Sequence, residues 1–199
     1  FAKTAAEAVS ENPGKQSFNP LIIYGGTGLG KTHLLHAIGN RVLETQPDKR
    51  IVIATSEKFT LDFVNGLRKN RTVEFAKHYR NADLLLIDDI QFFKGKEQTQ
   101  EQFFHTFNAL VDQNRQVIIS ADKSPTDLEG LEERLRSRLG WGLVADIHPT
   151  TYELRLGILQ SKVEKLGVAV PTKVLDLLSR HIDLQAPITT SFAVSYTQL

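Results

Sequence analysis

Gly25-Gly26-Thr27-Gly28-Leu29-Gly30-Lys31-Thr32 follows directly on the apolar run Leu21-Ile22-Ile23-Tyr24 and leads into a stretch of helical period. The octet fits G-x-x-x-x-G-K-[ST] in the strand-then-helix setting that the pattern requires. Glycines let a backbone fold around phosphate groups with its N–H groups turned inward, and the N-terminus of the next helix adds positive potential. In that arrangement Lys31 reaches the β- and γ-phosphates and Thr32 offers its hydroxyl to Mg²⁺. A glycine-rich turn that binds nothing is disfavoured by four glycines and Lys-Thr in the required order. The expected cofactors are ATP or ADP with Mg²⁺, and the expected cradle is Gly26, Thr27, Gly28, Leu29, Gly30, Lys31, Thr32 and His33.

The other half of such a site is found at Leu84-Leu85-Leu86-Ile87-Asp88-Asp89, an apolar strand ending in two carboxylates. Asp88 closes the strand at the carboxyl edge of a sheet, where ligands of α/β proteins bind, and is expected to hold Mg²⁺ together with Thr32. Asp89 either orients or deprotonates the attacking water, or caps the segment that follows.

Working outward, apolar runs of strand length occur at 21–24, 51–54, 84–87, 117–120 and 142–147. Helical patterns fall at 32–44, 57–68, 72–80, 97–112 and 131–139. Alternation of the two, with strands that are apolar on both faces, predicts an α/β fold: a P-loop NTPase with a five-stranded, mostly parallel sheet between helices. Beyond Pro149 the pattern turns helical, at 151–166 and 172–181. The expected organisation is an α/β nucleotide-binding part over 1–149, a small helical lid over 150–183 and a tail over 184–199 whose Thr, Ser and Pro favour loop.

The chain has 199 residues, 41% hydrophobic and 24% charged, the balance of a folded globular protein. It lacks cysteine, which excludes disulfides and thiolate chemistry and is compatible with a reducing cytoplasm. No apolar stretch approaches the length of a membrane span. A net charge of +1 gives no bulk electrostatic case for wrapping duplex DNA, so any nucleic-acid contact is expected to be local. The sequence opens at Phe1 and contains no methionine, the sign of a piece of a longer protein.

Four segments together resemble the family of bacterial chromosomal replication initiators, DnaA: residues 18–37 around the glycine loop, 86–93, 102–110, and 133–138 with Gly140-Trp141-Gly142-Leu143. The resemblance spans roughly residues 6–178. It implies an AAA+ ATPase domain that forms ATP-dependent homo-oligomers or filaments on origin DNA, contacts single strands, and works in the bacterial cytoplasm with a replicative helicase and regulators. A neighbouring copy's arginine then completes each nucleotide site. Arg138 matches that position and Arg134 a nearby interface arginine, whereas the residues alone read as a solvated helix face. Hydrolysis is expected to be slow, and weak in an isolated domain. Asp122 matches a position that monitors the phosphate end, with Ala121 where a hydroxyl is usual, leaving that task to Asp122 or Ser120; Asp122 equally suits a turn before Pro125. Val64 and Lys96 match contacts to single-stranded DNA, against the plainer readings of a core valine and a solvated lysine. Gln98 stands where a basic residue is common.

His33 and His36 are not read as a metal pair, and Trp141 is read as core or hinge near the lid. The segment that helps hold adenine before Ala6 is missing, which leaves base contacts to Asn19 and the lid. Pro187 falls where a lid arginine is expected; it has neither N–H nor charge, so weak discrimination between ATP and ADP follows. A duplex-reading helix-turn-helix is not found. Two other functions stay open: a related regulator that stimulates an initiator's hydrolysis, or a helicase-loader ATPase.

Overall fold

A computed structural model describes residues 1–149 and 151–181. The expectations for Pro187, for the tail 184–199 and for the end of the lid at 182–183 lie outside the described residues. The chain divides into two compact units. One comprises Phe1–Gly25 and Gly30–Ile147; the other comprises Gly26–Leu29 and, among described residues, 148–149 and 151–181.

The larger unit is a five-stranded parallel sheet. Its strands are β1 Leu21–Gly25, β2 Ile51–Thr55, β3 Leu84–Asp88, β4 Gln116–Ala121 and β5 Leu143–Ile147, in the order β2-β3-β4-β1-β5. The helices of this unit are α1 Ala2–Glu11, α2 Lys31–Thr45, α3 Ser56–Arg68, α4 Thr72–Arg80, α5 Glu97–Asp112 and α6 Glu133–Leu139. From β1 the chain crosses to the far edge at β2 and returns through β3 and β4 to pair with β1 again. The carboxyl ends of β3, β4 and β1 therefore lie side by side, with Ile87 opposite Ile119 and Tyr24 opposite Ala121.

Because successive strand residues face opposite sides of a sheet, each strand feeds two cores. Ile22, Leu85, Ile87, Val117 and Ile119 pack on one face with Phe59, Phe75, Tyr79, Phe93 and Phe103. Phe59 is the hub of that cluster, meeting Tyr79 edge-on at 4.7 Å and Phe75 at 5.1 Å between ring centroids. Leu21, Ile23, Leu84, Leu86 and Ile118 pack on the other face with Ala5, Ala6 and Val9 of α1 and Leu34, Leu35 and Ile38 of α2. Burial on both faces explains why β3 and β4 are uninterrupted: every residue of each is buried.

The helical unit holds α7 Tyr152–Leu166 and α8 Thr172–His181. Thr151 caps α7 by accepting from the Leu154 N–H at 3.3 Å, and Gly167 ends it at φ +65°, where a side chain would be strained. The Tyr152 hydroxyl donates to Asp176, and Arg155 Nε donates to the Ser179 carbonyl at 2.7 Å, joining the two helices. Among the described residues no helix is long and apolar enough to cross a membrane.

Candidate functional site

The site grows from the end of β1. Gly25 leaves the sheet where its neighbour β5 ends, and a Cβ on it would lie 2.4 Å from the Ile147 carbonyl oxygen, so only glycine fits. Gly28 and Gly30 follow with φ +80° and +92°, and Gly30 is the residue from which α2 starts. Lys31 opens α2 and is buried, at 8% exposure; its Nζ donates to the Gly25 carbonyl at 2.8 Å. The ammonium thus folds back onto the end of β1, beside the first turn of α2, whose N–H groups have no intrahelical partner.

Thr32 Oγ1 donates to Asp88 Oδ2 at 2.7 Å. The other carboxylate oxygen, Oδ1, accepts from the Ser120 hydroxyl. Asp88 is 7% exposed and Ser120 is fully buried, so the carboxylate is held between two hydroxyls, one from the start of α2 and one from the end of β4. The strand order makes this possible, since β4 separates β3 from β1.

Asp89 lies just past β3 at φ +57° and ψ +58°, a conformation that costs a non-glycine residue of order 1 kcal/mol. Two backbone bonds hold it there: its N–H donates to Ser120 Oγ at 2.8 Å and its carbonyl accepts from Ser56 Oγ at 2.6 Å. The side chain accepts from Gln91 Nε2 at 2.9 Å and makes no capping bond to the 3₁₀ turn that follows, Ile90–Phe93.

Asp122 follows β4, half exposed, with one carboxylate oxygen buried and without a hydrogen-bond partner. The turn at Pro125 is organised by Ser124, whose hydroxyl donates to Asp127 at 2.8 Å. Ser120, the other residue considered for sensing, is committed to Asp88.

On α6, Leu135 and Leu139 point into the core, leaving Arg134 and Arg138 together one turn apart. Arg134 Nε donates to Glu132 at 2.5 Å, and its guanidinium lies 4.9 Å from the Phe104 ring centre. Among the described residues Arg138 has no such acid, and it lies 5.1 Å from the Trp141 ring centre. Val64 is half buried on α3, and Lys96 is half exposed at the start of α5.

Two expectations are corrected. Asn19 stands at the amino edge of the sheet, at the other end of β1 from Gly25. Its amide donates to the Arg115 carbonyl at 2.7 Å and accepts from the Val117 N–H at 2.9 Å, so the side chain ties β1 to β4 and is not available to a nucleotide base. Of the two readings of Trp141, the core one is overturned: the residue is 77% exposed, on the turn between α6 and β5. Two further residues serve the site without a signal in the sequence, Ser120 as the holder of Asp88 and Gln100. That side chain is 2% exposed, donates to the Phe93 and Gly130 carbonyls at 2.9 and 3.0 Å, and accepts from the Glu132 N–H at 2.7 Å. No local motif marks either residue; only the pairing of β4 between β3 and β1 brings Ser120 to the acid.

A glycine loop closing a parallel strand, a lysine folded over it, and a hydroxyl–carboxylate pair on the adjoining strand ends together define a P-loop nucleotide-binding α/β domain. The model of the bacterial DnaA ATPase domain matches residues 1–146, and the chain belongs to that family. It is 54% identical over 183 residues to the chromosomal replication initiator protein DnaA of Rickettsia massiliae, a match covering 92% of this chain and 40% of that protein. The crystal structure of domain III from the Thermotoga maritima replication initiation protein DnaA is similar at 42% identity and a TM-score of 0.87, covering 94% of this chain and 80% of that one. A replication initiator DnaA solved bound to AMPPCP and single-stranded DNA is similar at 35% identity and a TM-score of 0.85, covering 92% of this chain and 56% of that one. The chain thus spans about 40% of the length of the curated relatives it matches.

Proposed function

We propose that the chain is the ATP-binding, slowly hydrolysing domain of a replication initiator, whose triphosphate state drives assembly of copies on origin DNA and contact with single strands. The observation that carries this reading is the held carboxylate: Asp88 accepts from Thr32 on one oxygen and from Ser120 on the other, beside the glycine loop. The similarity to an initiator solved with AMPPCP and single-stranded DNA supports it.

Lys31 neutralises the β- and γ-phosphates. Thr32 and Asp88 are hard oxygen donors 2.7 Å apart, the sparse protein set that Mg²⁺ takes when phosphates and water complete its shell. Among the described residues no cluster of three or more His, Cys, Asp and Glu forms a metal cage, so the donors suit a metal that arrives with its nucleotide. Bound there, Mg²⁺ would neutralise charge developing on the phosphate oxygens. Asp89 orients the attacking water and takes its proton, its carboxylate steadied by Gln91. Asp122 reports the phosphate end through its unpaired oxygen. Arg138 of one copy serves the site of another, which makes hydrolysis weak in a dilute, isolated domain. Val64 and Lys96 contact the single strand, and helicase and regulators are further partners of the whole protein.

Fluorescence anisotropy of labelled single-stranded DNA tests the reading. Binding should need ATP, vanish in Lys31→Ala and weaken in Lys96→Ala. Equal binding with ATP, ADP and no nucleotide would overturn it, and stimulation of another initiator's hydrolysis without DNA binding would favour the regulator.

A further inference from the structure

Trp141 is the single tryptophan of the chain and is 77% exposed. Few side chains forfeit more apolar burial by standing in water. Its backbone is nonetheless well fixed: the Trp141 N–H donates to the Arg138 carbonyl at 3.3 Å, and the Leu143 N–H donates to the Pro20 carbonyl at 2.9 Å. Between them Gly142 packs so closely that a Cβ would lie 2.0 Å from the Pro20 oxygen. The end of α6 and the start of β5 therefore present the indole outward from both sides.

What the indole meets is the Arg138 guanidinium, 5.1 Å from its ring centre. Arg134, one turn earlier, is bonded to Glu132; among the described residues Arg138 has no carboxylate within ion-pair reach. A guanidinium stacked on a ring uses its face and keeps its five in-plane N–H groups, the edge that grips a phosphate through two parallel bonds. Each copy of the chain thus carries a cradle built for phosphate and, elsewhere, a cation with its edge unspent. That complementarity fits a head-to-tail contact between copies.

We propose that Trp141 is a positioning residue: it holds the Arg138 guanidinium face-on, so that its edge meets the terminal phosphate in the site of a second copy, and that copy covers the indole. This rests on the trans-acting role of Arg138 given above. Because Trp141 is the one tryptophan, its emission reports on this spot alone.

The experiment follows indole emission and self-association, by sedimentation, of the chain across protein concentration with MgATP, MgADP and no nucleotide. With MgATP the emission should move to shorter wavelength as association proceeds, and should stay put with MgADP. Trp141→Ala and Trp141→Leu should weaken ATP-dependent association about two- to five-fold, the worth of an exposed cation–π contact, while Trp141→Phe and Trp141→Tyr recover part of it. A purely structural indole would show no aromatic rescue and no nucleotide-dependent emission. If Arg138→Ala abolishes association but Trp141→Leu matches the parent, the positioning role fails alone. If Arg138→Ala also matches the parent, the trans reading beneath it fails too.

Discussion

Replacing Ser120 with alanine removes one oxygen atom, yet that oxygen serves both acids of the site. Its hydroxyl donates to Asp88 and accepts from the Asp89 N–H at 2.8 Å. Ser120 is fully buried, and the space vacated is smaller than a water molecule, so neither group gains a replacement partner. A hydrogen bond to a charged group contributes about 1.5–3 kcal/mol, and a buried N–H left unsatisfied costs about 1–3 kcal/mol. The two share one atom and do not add in full, so Ser120→Ala should lose about 2–4 kcal/mol of unfolding free energy. Asp89 would also lose one of the two bonds that hold its left-handed backbone, and nucleotide affinity should fall about tenfold, equivalent to about 1.4 kcal/mol. Guanidinium unfolding followed by far-ultraviolet circular dichroism measures the first effect; Trp141 is too exposed to report on the core. Calorimetric titration measures the second. A change in unfolding free energy below about 0.5 kcal/mol, with unaltered MgATP affinity, would show that this oxygen holds neither acid.

Two further outcomes follow from buried polar groups. Gln100→Leu keeps the volume but strands the Phe93 and Gly130 carbonyls and the Glu132 N–H, and should cost about 2–4 kcal/mol in the same denaturation assay. Burial, and then the hydrogen bond to Asp62, push the Tyr79 hydroxyl well above the usual tyrosine range. The unfolded chain releases this proton from about pH 10 while the folded chain keeps it, so stability is intact below that pH and falls above it. Tyr79→Phe should lower stability by about 1 kcal/mol at neutral pH and flatten the alkaline decline, as read from unfolding midpoints across the alkaline range.

The five strands were legible because β3 and β4 are buried on both faces and so carry unbroken runs of Leu, Ile and Val, which no helix of that length would need. The glycine loop was legible because its chemistry is local: eight consecutive residues carry the turn, the ammonium and the hydroxyl. α1 is absent from the sequence reading although Ala5, Ala6 and Val9 share one buried face; two of the three are alanines, which bury little side chain. Asn19 was reached by elimination, from the missing segment before Ala6; in the sheet it stands at the other end of β1, five residues of extended strand from the loop. Of the two readings of Trp141, core or hinge, the core one fails: the two glycines beside it, with Gly142 pressed on Pro20, leave the indole in solvent. Ser120 was named for sensing, but its hold on Asp88 emerges only from the strand order, which sets β4 between the loop and the acids. Its spacing from Asp88 in sequence carries no pattern, because a sheet neighbour is chosen by topology and not by period.

Backbone amides after β1 and the Asp88 carboxylate after β3 are proposed to form one receptor for a magnesium-bound triphosphate. Titration calorimetry of MgATP into the folded chain tests it most directly, beside Lys31→Ala and Asp88→Asn. Saturable heat at one nucleotide per chain is expected, abolished by the first substitution and dependent on magnesium only in the parent. Heat of dilution alone, at millimolar MgATP and MgADP with a natively folded parent protein, would contradict it.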